Sequence, residues 1–189
     1  MPFIDTISYE DATGEIKEVY DNLISSRGKL AEVHKIQSLN PPALVAHMDL
    51  YMSIMFKKSP LKRKHREMIA VVVSAANECE YCIRHHAEAL QHFWKDEART
   101  NQLAADFTKA DLDETELALC QFAHEVTLRP GGEQKSREER IKKLKVKKIS
   151  DRAILDAMQV IAYFNFVNRI VLGLGVDFTE DEIKGYSYD

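Results

Sequence analysis

Only seven glycines and five prolines are spread over 189 residues, so little of the chain reads as coil. Cysteine is scarce too. There are three, an odd number, and a chain of this length buries enough surface to fold without covalent staples. A structural disulfide framework is therefore not expected. The net charge is small, -4 with a pI near 6.0. That gives no general drive toward nucleic acid, whose binding rests on concentrated positive charge. The one basic run, residues 142–148, follows Glu138 and Glu139 at helical spacing and reads as a solvated helix face. The start, Met1-Pro2-Phe3-Ile4-Asp5, lacks the basic and apolar blocks of a secretory leader. No window approaches the ~18 uninterrupted apolar residues of a membrane span. The expectation is a cytoplasmic protein with neither nucleic-acid nor membrane partner.

What is present is helical periodicity. Thr13 is placed to cap a first helix, with Ile16, Val19, Tyr20 and Leu23 on one face and Gly28 to end it. Asn40-Pro41 starts a second helix, and Ser59-Pro60 starts a third that runs from Leu61 to about Asn77. The apolar run Met68 to Val73 makes this third helix central and buried. Further helices are expected over about Cys79–Trp94 and Asp96–Phe107, from Asp113, from Ser136, and from Ser150 to Gly173. Arg129-Pro130-Gly131-Gly132 is the clearest loop. No strand pair with a turn emerges, so the fold class is all-α, one domain over 1–189 with 1–40 as an N-terminal helical extension.

Two of the cysteines stand three apart, Cys79 and Cys82. Thiols at i and i+3 share one helical face, and a Cys-x-x-Cys pair at a helix start passes electrons by opening and closing a disulfide. The N–H groups of a helix N-terminus favour a thiolate. His86, four residues after Cys82, lies on the same face and is placed to take its proton directly or through one water. Glu67, on the preceding helix, is placed to orient His86. This arrangement should depress the Cys82 pKa more than that of Cys79. Zinc is the chemical rival, because Cys, Cys and His are good ligands and His85 or Glu67 could complete a set. Inert core cysteines are the third possibility. Cys120, among Leu117, Phe122 and Ala123, reads as a buried free thiol. His85 reads as a surface or interface residue, and Tyr81 as a hydrogen-bond donor to a bound substrate or an aromatic wall. Asn168 and Arg169, polar within an apolar helix, each need a partner, for which a subunit contact is the simplest source.

The pattern Glu-x11-Cys-x2-Cys-x3-His, filled by Glu67, Cys79, Cys82 and His86, resembles the active-site signature of the alkylhydroperoxidase D (AhpD)-like families of the carboxymuconolactone decarboxylase superfamily. Residues 77–82 and 163–169 are similar to the branch of peroxidase-related proteins. The resemblance implies an AhpD-like helical bundle, assembled as homotrimers or homohexamers. It implies a thiol-dependent peroxidase that needs no cofactor and no metal. In that reading Cys82 attacks a hydroperoxide and Cys79 resolves it as a disulfide. His86 carries the proton, Glu67 holds His86, and a dithiol such as a lipoyl group restores the thiols. One departure is visible: the best-known peroxidase members resemble Cys-x-His-Cys, and here Tyr81 stands before the second cysteine. A disulfide reductase with little peroxidase activity, and a non-enzymatic redox sensor or zinc-binding protein, are the alternatives.

Overall fold

The computed structural model describes residues 1–186, and all regular structure among them is helical. The chain runs through α1 (Gly14–Arg27), a short α2 (Glu32–Lys35), α3 (Pro41–Phe56), α4 (Arg63–Ala76), α5 (Glu80–Trp94) and α6 (Glu97–Asp106). A 3-10 turn over 107–109 leads into α7 (Glu114–Leu128), α8 (Gln134–Val146), α9 (Asp151–Leu174) and a short α10 (Glu180–Ile183).

Capping chemistry explains most boundaries. Asn40 Oδ1 accepts from Ala43 N at the start of α3, and Asp113 forms a capping box with Glu116 on α7. Gly28 and Gly175 end α1 and α9 at positive φ, 80° and 72°, where a Cβ would be strained. The last of these corrects the expectation that α9 stops at Gly173. Ser59 also departs from its expected role. Its Oγ accepts from Leu61 N and donates to Asp156 on α9, and α4 begins only at Arg63. Likewise α8 starts at Gln134, two residues before Ser136.

The core is organised around α4. Met68, Ile69, Ala70, Val71, Val72 and Val73 are all buried, so this helix is enclosed on every side, with α5, α7 and α9 packed around it. Arg66, also buried, donates to Leu61 O, Ile54 O and Met55 O. It thereby satisfies carbonyls at the end of α3 that the helix itself leaves open. A smaller cluster joins α1 to α3 through Ile16, Tyr20, Leu23, Leu44 and Met48. By length and composition α9 could cross a membrane. Here it lies against α3, α4, α7 and α8, with Asn165, Asn168 and Asp156 all hydrogen-bonded within the chain.

The turn between α4 and α5 places the cysteine pair. Glu78 sits at φ 58°, in the left-handed region, and Cys79 N donates to Ser74 O at 2.9 Å. Asn168 clamps this turn from α9. Its Oδ1 accepts from Asn77 Nδ2 at 2.9 Å and its Nδ2 donates to Ser74 Oγ at 3.2 Å. The partners of Asn168 are thus intramolecular, and Arg169 bonds to Asn165 of its own helix. Asn168 is therefore satisfied inside the chain, while Arg169 remains exposed. Asn168 is fully buried, so Asn168→Leu should cost about 2 kcal/mol, a fall in thermal midpoint of roughly 4–8 °C for a chain of this size. Calorimetry of the variant checks this, and an unchanged midpoint would show that the clamp is dispensable.

Candidate active site

Glu67 is the most constrained group in the site. It has no solvent exposure, in the middle of an otherwise apolar helix. One carboxylate oxygen, Oε1, accepts from Arg63 one turn earlier, at 2.6–2.7 Å. The other, Oε2, accepts from His86 Nδ1 of α5 at 2.7 Å. Burial alone would push this carboxyl up, but His86 and Arg63 together outweigh it and hold it below the usual carboxylate range. A carboxylate only accepts, so Nδ1 of His86 carries the proton and neutral His86 keeps Nε2 as its accepting nitrogen. The ring is further fixed by edge contact with Phe164 at 4.3 Å between centroids.

Cys79 is the N-cap residue of α5 and Cys82 lies in its first turn. Both are free and buried, and their Sγ atoms share a hydrogen bond at 2.9 Å. A disulfide requires the sulfurs to close to about 2.05 Å, a small further approach. One proton shared between the sulfurs lowers the Cys79 thiol and raises Cys82 well above the ordinary range. Burial pushes both up, and a hydrogen bond from Asn168 partly relieves Cys82. This reverses the sequence-based expectation, which placed the lower pKa on Cys82. The reason is geometric. Among the described residues, no hydrogen bond joins His86 to Cys82, whereas Cys79 is bonded to it directly. A relay from Cys82 to His86 needs a water or a substrate between them.

Such a species has room. Cys82 and His86 line one cavity of about 90 Å³, with Tyr81 and His85 of the same helix. Its other walls come from distant segments, including Arg27 of α1, His47 and Tyr51 of α3, and Tyr163 of α9. Tyr163 donates to His47 Nε2 at 2.5 Å, while His47 Nδ1 meets Gln37 Oε1 at 3.0 Å. Burial brings His47 down to about 4, so it is neutral at pH 7. Glu67 and Cys79 stand behind this wall.

Tyr81 lines the cavity with its ring, one of its two expected roles, while its hydroxyl is engaged within the chain. The Tyr81 hydroxyl donates to Glu182 Oε1 at 2.7 Å and accepts from Val33 N at 3.2 Å, so it ties α2 and α10 to the site. His85 is not a surface residue. It stacks on Tyr81 at 4.2 Å, bonds to Tyr81 O, and has Nε2 3.5 Å from Glu182. Cys120 is buried and burial pushes its thiol far up, in line with a core residue. Among the described residues, no three His, Cys, Asp or Glu side chains group closely enough to hold a metal ion.

Residues 41–125 match the carboxymuconolactone decarboxylase family, and this segment contains Glu67, Cys79, Cys82 and His86. A peroxidase-related protein from Ralstonia eutropha JMP134, described as an alkylhydroperoxidase AhpD core, superposes with a TM-score of 0.84 at 22% identity, over 96% of this chain and 94% of its own. The chain has the AhpD-like fold, and its central segment carries the match to the carboxymuconolactone decarboxylase family. A peroxidase-related protein from Silicibacter sp. TM1040 is 27% identical, with a TM-score of 0.78 over 96% of this chain and 91% of its own. The debrominase Bmp8 shares the fold at 21% identity and a TM-score of 0.77, covering 96% of this chain and 98% of its own. No curated protein matches the chain significantly.

The buried carboxylate gives the AhpD-like site a pH signature. Because the folded-state pKa of Glu67 is depressed, its contribution to stability is fully present above the unfolded value near 4.5 and is lost as pH falls through the folded value. Glu67→Gln leaves Arg63 without its counter-charge and should lower stability at pH 7 by about 3 kcal/mol. The gap to wild type should narrow below pH 4. Denaturant midpoints measured from pH 3 to 8 test this, and a gap independent of pH would remove the carboxylate from the account.

Proposed function

We propose that the chain is a thiol-dependent peroxidase using Cys79 and Cys82. The observation that carries this reading is the sulfur–sulfur hydrogen bond at the start of α5, with Cys82 opening onto the cavity that His86 also lines. The family match over residues 41–125 and the peroxidase-related neighbours support the same reading.

The steps balance as follows. A proton leaves the cysteine pair for His86 Nε2, through a bound water or the substrate itself. The Cys82 thiolate attacks the outer oxygen of a hydroperoxide, the O–O bond breaks, and the alkoxide leaves with the proton from His86 as an alcohol. Cys82 is then a sulfenic acid. Cys79, already in contact, attacks that sulfur, releasing water and forming the disulfide. A small dithiol donor, of which a lipoyl group is the type, reduces the disulfide by exchange. Glu67 is a positioning residue throughout: it fixes the tautomer of His86 and stabilises its cation.

The test is a count of free thiols before and after stoichiometric hydroperoxide. Wild type should lose two per chain, and neither Cys79→Ser nor Cys82→Ser should form the disulfide. His86→Gln should slow the loss by about 100-fold near pH 7. An unchanged thiol count in wild type would overturn the reading. A second electron acceptor is tested the same way. Bmp8 is named a debrominase, and a variant of it has been crystallised with 2,3,4-tribromopyrrole. The aromatic wall here, Tyr51, Tyr163 and Phe164, suits such a ring, and bromide release coupled to thiol loss would favour that substrate.

The chain is further proposed to act as a homotrimer or homohexamer. Leu155, Met158, Phe166 and Leu172 on α9, with Val45 and Leu50 on α3, remain exposed, more large apolar side chains than one surface would be expected to leave on two neighbouring helices. Light scattering should give a mass three or six times 21.7 kDa. A monomer at working concentration would overturn it.

A further inference from the structure

Arg27 ends α1 and is only 7% exposed, yet it faces the cavity that Cys82 and His86 line. Its guanidinium lies against the rings of Phe56 (4.6 Å) and Tyr51 (5.3 Å). Among the described residues no carboxylate pairs with it. The neighbouring Arg63 differs, since it is neutralised by Glu67, whose second oxygen is taken by His86. Three further polar groups of the wall are uncharged at neutral pH: burial holds His34 at about 3 and His47 at about 4, and Tyr51 is raised by burial. The cavity therefore holds a buried cation with no carboxylate paired to it among the described residues. A buried charge without a partner is costly, and arginine's planar fork matches a carboxylate.

We propose that Arg27 is a substrate-binding residue that recognises a carboxylate, so that the oxidant reduced here is a small organic hydroperoxide bearing a carboxylate group. This rests on the reading of the cavity as the substrate site of the cysteine pair. The cavity, about 90 Å³, is open on one side, so a ring can lie against Tyr51 and Tyr163 with part of its body at the mouth. A compact apolar body fits, its carboxylate on Arg27 and its peroxide toward Cys82.

The test separates binding from turnover. Reduced protein is alkylated with neutral iodoacetamide in the presence of benzoate or of uncharged benzyl alcohol, and modification of Cys82 is followed by mass spectrometry. Benzoate should protect Cys82 at concentrations at least about tenfold lower than benzyl alcohol. Arg27→Gln should abolish that preference and Arg27→Lys should retain part of it, with circular dichroism confirming that each is folded. Should Arg27→Gln not fold, the wild-type ratio and Arg27→Lys decide. In the same way, disulfide formation should be at least about tenfold faster with a ring-carboxylated cumene hydroperoxide than with cumene hydroperoxide itself. Equal protection by the two probes in wild type, or a benzoate preference that survives in Arg27→Gln, overturns the proposal. Protection by benzoate together with no thiol loss to either peroxide leaves anion binding standing and removes the peroxidase reading alone.

Discussion

A carboxylate with no access to water, in the middle of a helix made of methionine, isoleucine, alanine and valine, sets the terms for everything around it. Unpaired, Glu67 would be protonated or would unfold the helix. It remains charged because Arg63 approaches from one turn below and His86 from the facing helix. The second contact has a structural consequence. It fixes the rotation of α5 about its own axis, because His86 must point at α4. Cys82, one turn earlier on α5, is then directed to the same side, and Cys79 falls at the junction where α5 begins. Core stability and thiol placement are in this sense one interaction, and weakening Glu67 would disturb the cysteine pair without touching it.

The fold was legible where its causes are local. Caps such as Asn40 and Asp113, and the apolar stripe of each helix, lie within a few residues of what they determine. The Glu67, Cys79, Cys82 and His86 set was legible because all four fall on two consecutive helices, where spacing translates into geometry. What the sequence did not reveal depends on contacts across the chain. Ser59 resembles a cap but bonds to Asp156, 97 residues away. Asn168 resembles an interface residue but meets Asn77 and Ser74, more than 90 residues earlier. The order of the two thiol pKa values was misjudged because helical spacing alone says nothing about whether a histidine ring or a second sulfur is nearer. Arg27 gave no signal at all. A basic residue in the last turn of a helix has an ordinary explanation in the helix dipole, and nothing local distinguishes it from one that faces a cavity.

The division between what is local and what is distant also separates chemistry from selectivity. The residues matching the family, 41–125, contain the cysteine pair, its histidine and its carboxylate. They also supply His47, Met48 and Tyr51 of the cavity wall, but Arg27, Tyr163 and Phe164 lie outside that segment. A dithiol at a helix start transfers two electrons to any electrophile brought within reach. The cavity in front of Cys82 is walled in part by the first helix and by α9. Solved proteins of this fold are named as peroxidase-related in two cases and as a debrominase in another. The family match therefore covers the cysteine pair and its histidine, while Arg27 and the α9 part of the cavity wall lie outside it.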